Sequence, residues 1–241
     1  MTLPPLLNGT EVANAFRHVD TWVFDLDNTL YPAHLDLWRQ IDGRIRDYIC
    51  AYLGLPPDQA FTLQKAYYRS YGTSLRGLMI EHGVDPTCFL NQVHDVDLSQ
   101  LDPAPRLAAA IDALPGVKLI YTNGSTRHAR NVLERLGLAG HFSAIHDIVA
   151  ADFHPKPTEE ACLRFLDAHQ VDPTRAAMFE DLARNLEVPH RMGMTTVLVV
   201  SPQERIENRQ SWEFEGREDA YVDFTTQDLA GFLERLAHAP I

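Results

Sequence analysis

Apolar positions follow two rhythms along this chain. Trp22, Val23, Phe24 and Leu26 form a run that is apolar on nearly every position, the pattern of a central parallel strand covered on both faces. Behind it, Trp38, Ile41, Ile45, Tyr48, Ile49 and Tyr52 recur at helical spacing, and the Trp38 stripe is expected to be core. Gly54 and the Pro56-Pro57 pair end that helix, and a second runs through Leu63 and Tyr67 to Tyr71. Shorter helices fit 75–82 and 86–94. No strand-like run separates them, so 35–101 reads as a small helical bundle inserted after the first strand.

From Pro103 the rhythm alternates. Helices are expected at 105–114, 129–136 (stopped by Gly137), 159–169 and 228–236. Strands are expected at 117–122, 144–149, 176–179, 195–200 and 221–224, and the polar stretch 203–218 as a surface excursion. Strands alternating with helices predict βαβ units, hence an α/β fold with a doubly wound parallel sheet. The expected division is a core of 1–32 and 102–241 and an all-helical cap of 33–101.

In open parallel sheets, ligands bind beyond the carboxyl ends of the strands. Reactive residues cluster there: Asp25 and Asp27 after the first strand, Thr122, Asn123 and Gly124 after the second, Lys156 past the third, Glu180 and Asp181 after the fourth. Taken singly, each is ordinary, because Asp and Asn make turns and acids start helices. Jointly they outline one site. Acids brought together repel unless a cation sits among them, and magnesium takes oxygen ligands from one or two carboxylates plus phosphate. Asp25 and Asp181 are the natural direct ligands, with Glu180 outside them. The metal and the Lys156 ammonium would screen a phosphoryl group. The Thr122 hydroxyl and the N–H groups near Asn123 and Gly124 would cradle its oxygens. Asp27, two residues beyond Asp25, can lie near the leaving oxygen, protonate it and then take a proton from water, and the spacing permits Asp25 to be the anionic nucleophile.

These residues resemble the haloacid dehalogenase superfamily of phosphohydrolases. The resemblance is carried by Phe24-Asp25-Leu26-Asp27-Asn28-Thr29-Leu30-Tyr31, Tyr121-Thr122-Asn123-Gly124, Lys156-Pro157 and Phe179-Glu180-Asp181. It implies a helical cap, an aspartyl-phosphate intermediate on Asp25, and magnesium bound by the Asp25 side chain, the Asp27 backbone carbonyl and Asp181. A narrower likeness is to the pyrimidine 5′-nucleotidase group, through Asn28 to Pro32, the segment 67–78, and Thr122-Asn123-Gly124 followed by His128-Ala129-Arg130. That likeness implies hydrolysis of UMP or CMP. Where Asp-Asp-Ser is expected, the chain has Glu180-Asp181-Leu182, and Ser125-Thr126 follows the second motif.

Substrate contacts are expected from Thr73, Ser74 and Arg76 beside Gly72. For Tyr67 and Tyr71 two readings stand, base contact and the packed face of a helix. His128 and Arg130 lie near the phosphate-binding helix start or in solvent. Dehalogenation leaves Asp27 and the metal set unexplained. A phosphomutase or a sugar-phosphate phosphatase uses the same motifs, whereas a non-catalytic regulator that binds a phosphometabolite predicts loss of a catalytic residue.

Composition narrows the partners. A net charge of −12 disfavours nucleic acid and anionic membranes, leaving a small phosphorylated metabolite such as a nucleoside monophosphate. The three cysteines are far apart and without ligand spacing, so they are expected as core hydrophobes in a reducing compartment. The eleven histidines are expected to be scattered over the surface. The N-terminus lacks a signal-peptide pattern and no run reaches membrane-span length. A cytoplasmic monomer or homodimer is the expectation.

Overall fold

The computed structural model describes residues 9–35, 37–201 and 210–237. Six parallel strands form one sheet in the order β3-β2-β1-β4-β5-β6. They are β1 (Thr21–Phe24), β2 (Val117–Tyr121), β3 (Ala144–His146), β4 (Ala176–Glu180), β5 (Thr195–Val199) and β6 (Phe224–Thr226). The chain builds outward from β1 to β3, then returns to the other side of β1 for β4, so the topological switch lies between β1 and β4.

Side chains alternate across the sheet, and the two faces bury two separate clusters. Trp22, Phe24, Ile120, Ala177, Phe179 and Val197 face one layer. It contains α1 (Gly9–Ala15), α6 (Pro105–Asp112), α7 (Thr126–Leu136) and α10 (Leu229–Ala237). Val23, Leu119, Tyr121, Met178 and Leu198 face the other, with α8 (Glu159–His169) and α9 (Glu187–Met192). This two-sided burial is why the strands read as continuous apolar runs.

Between β1 and α6 lie α2 (Leu37–Leu53), α3 (Pro57–Tyr71), α4 (Ser74–His82) and α5 (Pro86–Val93). Gly54, at φ 67°, ends α2, and Pro57 opens α3 where a missing N–H costs nothing. The four helices share a cluster built on Tyr48, Ile49, Leu78, Phe89 and Val93. Leu37 and Leu101, at the two ends of the insertion, are anchored in the sheet's own core. Among the described residues no helix is long and apolar enough to cross a membrane.

Several expectations shift. The third strand stops at His146 because the Asp147 carboxylate takes the Thr126 N–H, the Thr126 hydroxyl and the Ala150 N–H. The last strand starts at Phe224 and not at Tyr221, because Tyr221 and Asp223 bond to Thr196 and form a turn. Of the expected surface excursion, 203–209 lies outside the described residues, and Ser211–Phe214 is a 3-10 turn with Glu213 buried. Helices α1 and α9 were not anticipated. Cys162 is buried as expected, but Cys88 is exposed. His94, His128 and His146 are buried and not on the surface.

Candidate active site

The ends of β1, β2 and β4, and the loop after β3, each deliver one part of the site. The ladder continues one residue past β1: the Asp25 N–H donates to the Phe179 carbonyl at 2.9 Å, which fixes Asp25 beside the end of β4. Beyond β2, the Thr122 N–H donates to the His146 carbonyl at 3.0 Å. Glu180 closes β4 and Asp181 follows it. Asp25, Thr122, Lys156, Glu180 and Asp181 are all buried.

Lys156 joins these ends. Its Nζ donates to Asp25 Oδ1 at 2.7 Å, Glu180 Oε2 at 2.7 Å and the Tyr121 carbonyl at 2.8 Å. An ammonium has three protons and all three are taken, so what it offers a phosphate is charge. The Thr29 hydroxyl donates to the other Asp25 oxygen at 3.1 Å. Asn123 holds the lysine's backbone: its Oδ1 accepts the Lys156 N–H at 2.8 Å and its Nδ2 donates to the Lys156 carbonyl at 3.2 Å. The Asn123 side chain thus ties the Lys156 backbone to the end of β2, with one amide N–H left over. The Gly124 N–H donates to the Thr122 hydroxyl oxygen at 2.9 Å, so the hydroxyl proton is what Thr122 can give a ligand.

Asp27 sits two residues beyond Asp25 in a different environment. The Tyr31 hydroxyl donates to its Oδ1 at 2.6 Å, and His128 Nε2 lies 2.8 Å from the same oxygen. His128 stacks on His94, ring centroids 4.6 Å apart. Burial pushes the Asp27 pKa up, but the His128 charge and the bonds from His128 and Tyr31 outweigh it and hold the group below the usual carboxylate value. Burial, and then Asp27, raise the Tyr31 phenol well above its ordinary value, so it stays a donor. Of these partners, sequence placed Tyr31 in a motif but gave it no role, and left His128 open between site and solvent. The available signal was position: Ser125 caps α7 by accepting the His128 N–H, which puts His128 on the first turn, facing the strand ends. Arg130 is exposed.

The acids crowd one another. Burial, with Asp181 and Asp27 adding repulsion against the Lys156 attraction, pushes Asp25 up to about 6. Burial and Asp25 push Glu180 up to about 8. Burial opposes the Lys156 charge, yet Asp25 and Glu180 raise its pKa above the ordinary lysine value. Asp25, Glu180 and Asp181 each offer an oxygen, and these lie within 4.8 Å of one another. Buried carboxylates that resist ionising together, with an all-oxygen donor set, fit a hard divalent cation.

A cavity runs from these residues up into the helical layer. Thr73, Ser74 and Tyr68 line it, as do Trp38, Ile41, Ile45, Phe89, Leu90 and Val93. Thr73 also caps α4 by accepting the Arg76 N–H, and the Ser74 hydroxyl donates to the Gln64 carbonyl at 3.0 Å. Arg76 is not among the lining residues. Two positions along a helix turn a side chain by about 200°, which carries Arg76 away from the wall that Ser74 faces. Tyr67 and Tyr71 pack within the layer: Tyr67 bonds His82 at 2.8 Å and Tyr71 bonds Glu81. A Cβ at Gly77 would overlap the Tyr67 ring. The tyrosine facing the cavity is Tyr68, and Trp38 is half-buried on the cavity wall and not core.

The model of the haloacid dehalogenase-like hydrolases matches residues 19–193, which holds β1 to β4 and the site residues after them. The chain belongs to this family. It is similar to Phosphate metabolism protein 8 of Saccharomyces cerevisiae, 29% identical over 132 residues, which are 51% of this chain and 41% of that protein. It thus spans under half of the yeast relative. It is also similar to the fructose-1-phosphate phosphatase YqaB of Escherichia coli, 24% identical over 188 residues, 73% of this chain and 93% of that protein. Among solved structures, a HAD phosphatase from Thermococcus onnurineus superposes with a TM-score of 0.57 at 18% identity, over 92% of this chain and 100% of that one. An L-2-haloacid dehalogenase from Xanthobacter autotrophicus gives 0.54 at 15% identity, over 89% and 97%. At these identities the structural likeness shows the family fold alone. The departure at Leu182 leaves its N–H donating to Glu180 Oε1 at 3.3 Å.

Proposed function

We propose that this hydrolase cleaves phosphate monoesters through Asp25, with magnesium, and that its substrates are pyrimidine nucleoside 5′-monophosphates. The observation that carries the reading is the Lys156 ammonium bound to both Asp25 and Glu180 at the foot of the cavity. An anionic nucleophile approaching an anionic phosphate needs that screening. The core is 1–32 and 102–241, and α2–α5 act as its cap.

In the first step a carboxylate oxygen of Asp25 attacks phosphorus while the Thr122 hydroxyl and the neighbouring backbone hold phosphate oxygens. Asp27, ionised while His128 and Tyr31 bond its Oδ1, gives the departing ester oxygen the proton that it takes up from solvent beside the anionic phosphate. In the second step Asp27 takes a proton from water, and the water oxygen attacks phosphorus as the bond from phosphorus to the Asp25 oxygen breaks, which frees inorganic phosphate and restores the carboxylate. Magnesium, held by the Asp25 and Asp181 carboxylates and the Asp27 backbone carbonyl with Glu180 outside them, would add positive charge against the phosphate. A dehalogenase would leave the Asp27–His128–Tyr31 set without a task.

The apolar wall of Trp38, Ile41, Phe89 and Val93 favours a flat nucleobase over a hydroxyl-rich sugar. The second reading, a sugar phosphate, draws support from the E. coli relative's name. Phosphate release from nucleoside monophosphates and sugar phosphates, with magnesium and with EDTA, separates them. We expect UMP and CMP to lead the panel and the chelator to abolish release. Equal rates with the chelator would refute the metal requirement, and no preference for UMP or CMP would refute the nucleotide assignment alone.

A further inference from the structure

Asp27 is held from one side. Tyr31 and His128 both converge on Oδ1, and Oδ2 has no hydrogen-bond partner among the described residues. Gly124 leaves the space beside Oδ2 open: a Cβ there would stand 3.7 Å from it and 3.3 Å from the His128 ring. Asp27 and Gly124 both line the cavity. Oδ2 is thus the oxygen left to face a substrate.

His128 is itself braced. It is 1% exposed, and its Nδ1 has no partner among the described residues, so Asp27 is the one hydrogen-bond partner its ring has there. Its face lies against His94, with the two planes 15° apart. His94 is the C-cap residue of α5, the last helix of the insertion. Its Nδ1 is 3.0 Å from the Ser125 hydroxyl oxygen, and Ser125 caps the helix that carries His128. One residue of the helical layer therefore touches both the imidazole that holds Asp27 and the helix start beneath that imidazole.

We propose that His128 and His94 are positioning residues for the acid: His128 turns Asp27 Oδ2 toward the leaving oxygen, and His94 locks His128 while α5 lies against the start of α7. This rests on the phosphatase reading with Asp27 as acid. As the bond from the Asp25 oxygen to phosphorus forms, the bond from phosphorus to the ester oxygen breaks. Its electron pair leaves with the ester oxygen, which takes the proton from Oδ2. Docking of the helical layer and readiness of the acid are then one event.

Leaving-group dependence tests the idea. A p-nitrophenolate departs with little help, whereas an alkoxide needs the proton. The ratio of kcat for a nucleoside 5′-monophosphate to kcat for p-nitrophenyl phosphate, taken on one preparation, does not depend on the folded fraction. His128→Leu should lower that ratio about tenfold or more. His94→Ala should lower it less, in the same direction. His128→Gln, which keeps a side-chain N–H for Asp27, should recover part of the loss. An unchanged ratio in His128→Leu overturns the proposal, and an unchanged ratio in His94→Ala alone overturns the link to the helical layer. If the unaltered enzyme releases phosphate from neither ester, the phosphatase reading fails and the proposal falls with it.

Discussion

At the scale of single residues, Lys156 concentrates the electrostatics of the site. Two buried carboxylates and a carbonyl share one ammonium, and removing it would leave Asp25 and Glu180 facing each other in low dielectric. Breaking such a buried pair from one side costs about 3–5 kcal/mol. A Lys156→Met protein is therefore expected to unfold at lower denaturant by roughly that amount, measured without divalent cations, and to lose hydrolysis. Unchanged stability would mean that the acids are already neutral. The residues on the strand ends were legible in sequence only jointly: each alone has an ordinary structural reason to stand there, and it is their recurrence at successive strand ends that outlines a site. His128 and His94 were not, because their importance comes from what they touch. A histidine on an amphipathic helix looks the same whether it meets water or Asp27. Asn123 shows the converse: its place in a motif was legible, while the bonds of its side chain to the Lys156 backbone were not.

Among elements, the turn between α3 and α4 lies against the Lys156 loop at the edge of the cavity. Gly72 has φ 83°, and a Cβ there would come within 2.8 Å of Pro155 Cγ and 3.2 Å of the Lys156 carbonyl. Only a residue without Cβ lets the helical layer approach the Lys156 loop this closely. A Gly72→Val substitution combines a left-handed backbone cost of about 1–2 kcal/mol with displacement of that loop. We expect a lower Tm and a fall in kcat, and wild-type kcat would show that the loop tolerates the shift. Helix starts and stops in this layer were readable from Gly54, Pro57 and Pro86, whose backbone limits act locally. Which face of α3 meets the cavity was not, because Tyr67, Tyr68 and Tyr71 are alike in composition and differ only in helical phase. The short edge strands β3 and β6 were placed imprecisely for a related reason. Their boundaries depend on the side-chain bonds of Asp147 and Asp223 to other segments.

For the whole molecule, topology does what no single motif can. The order β3-β2-β1-β4 brings residues 25, 122 and 180 to one edge although they are far apart in sequence. The chain as a whole carries −12, and the phosphatase reading relies on the buried Lys156 for positive charge at this edge. The central claim is that Asp25 becomes the phosphoryl carrier. The most direct measurement is a single turnover with substrate labelled on phosphorus, quenched in acid within the first half-reaction, digested and mapped. Label on the peptide containing Asp25, absent from an Asp25→Asn protein, is the expected result. Phosphate released at the normal rate with no label on Asp25 at any time would contradict it.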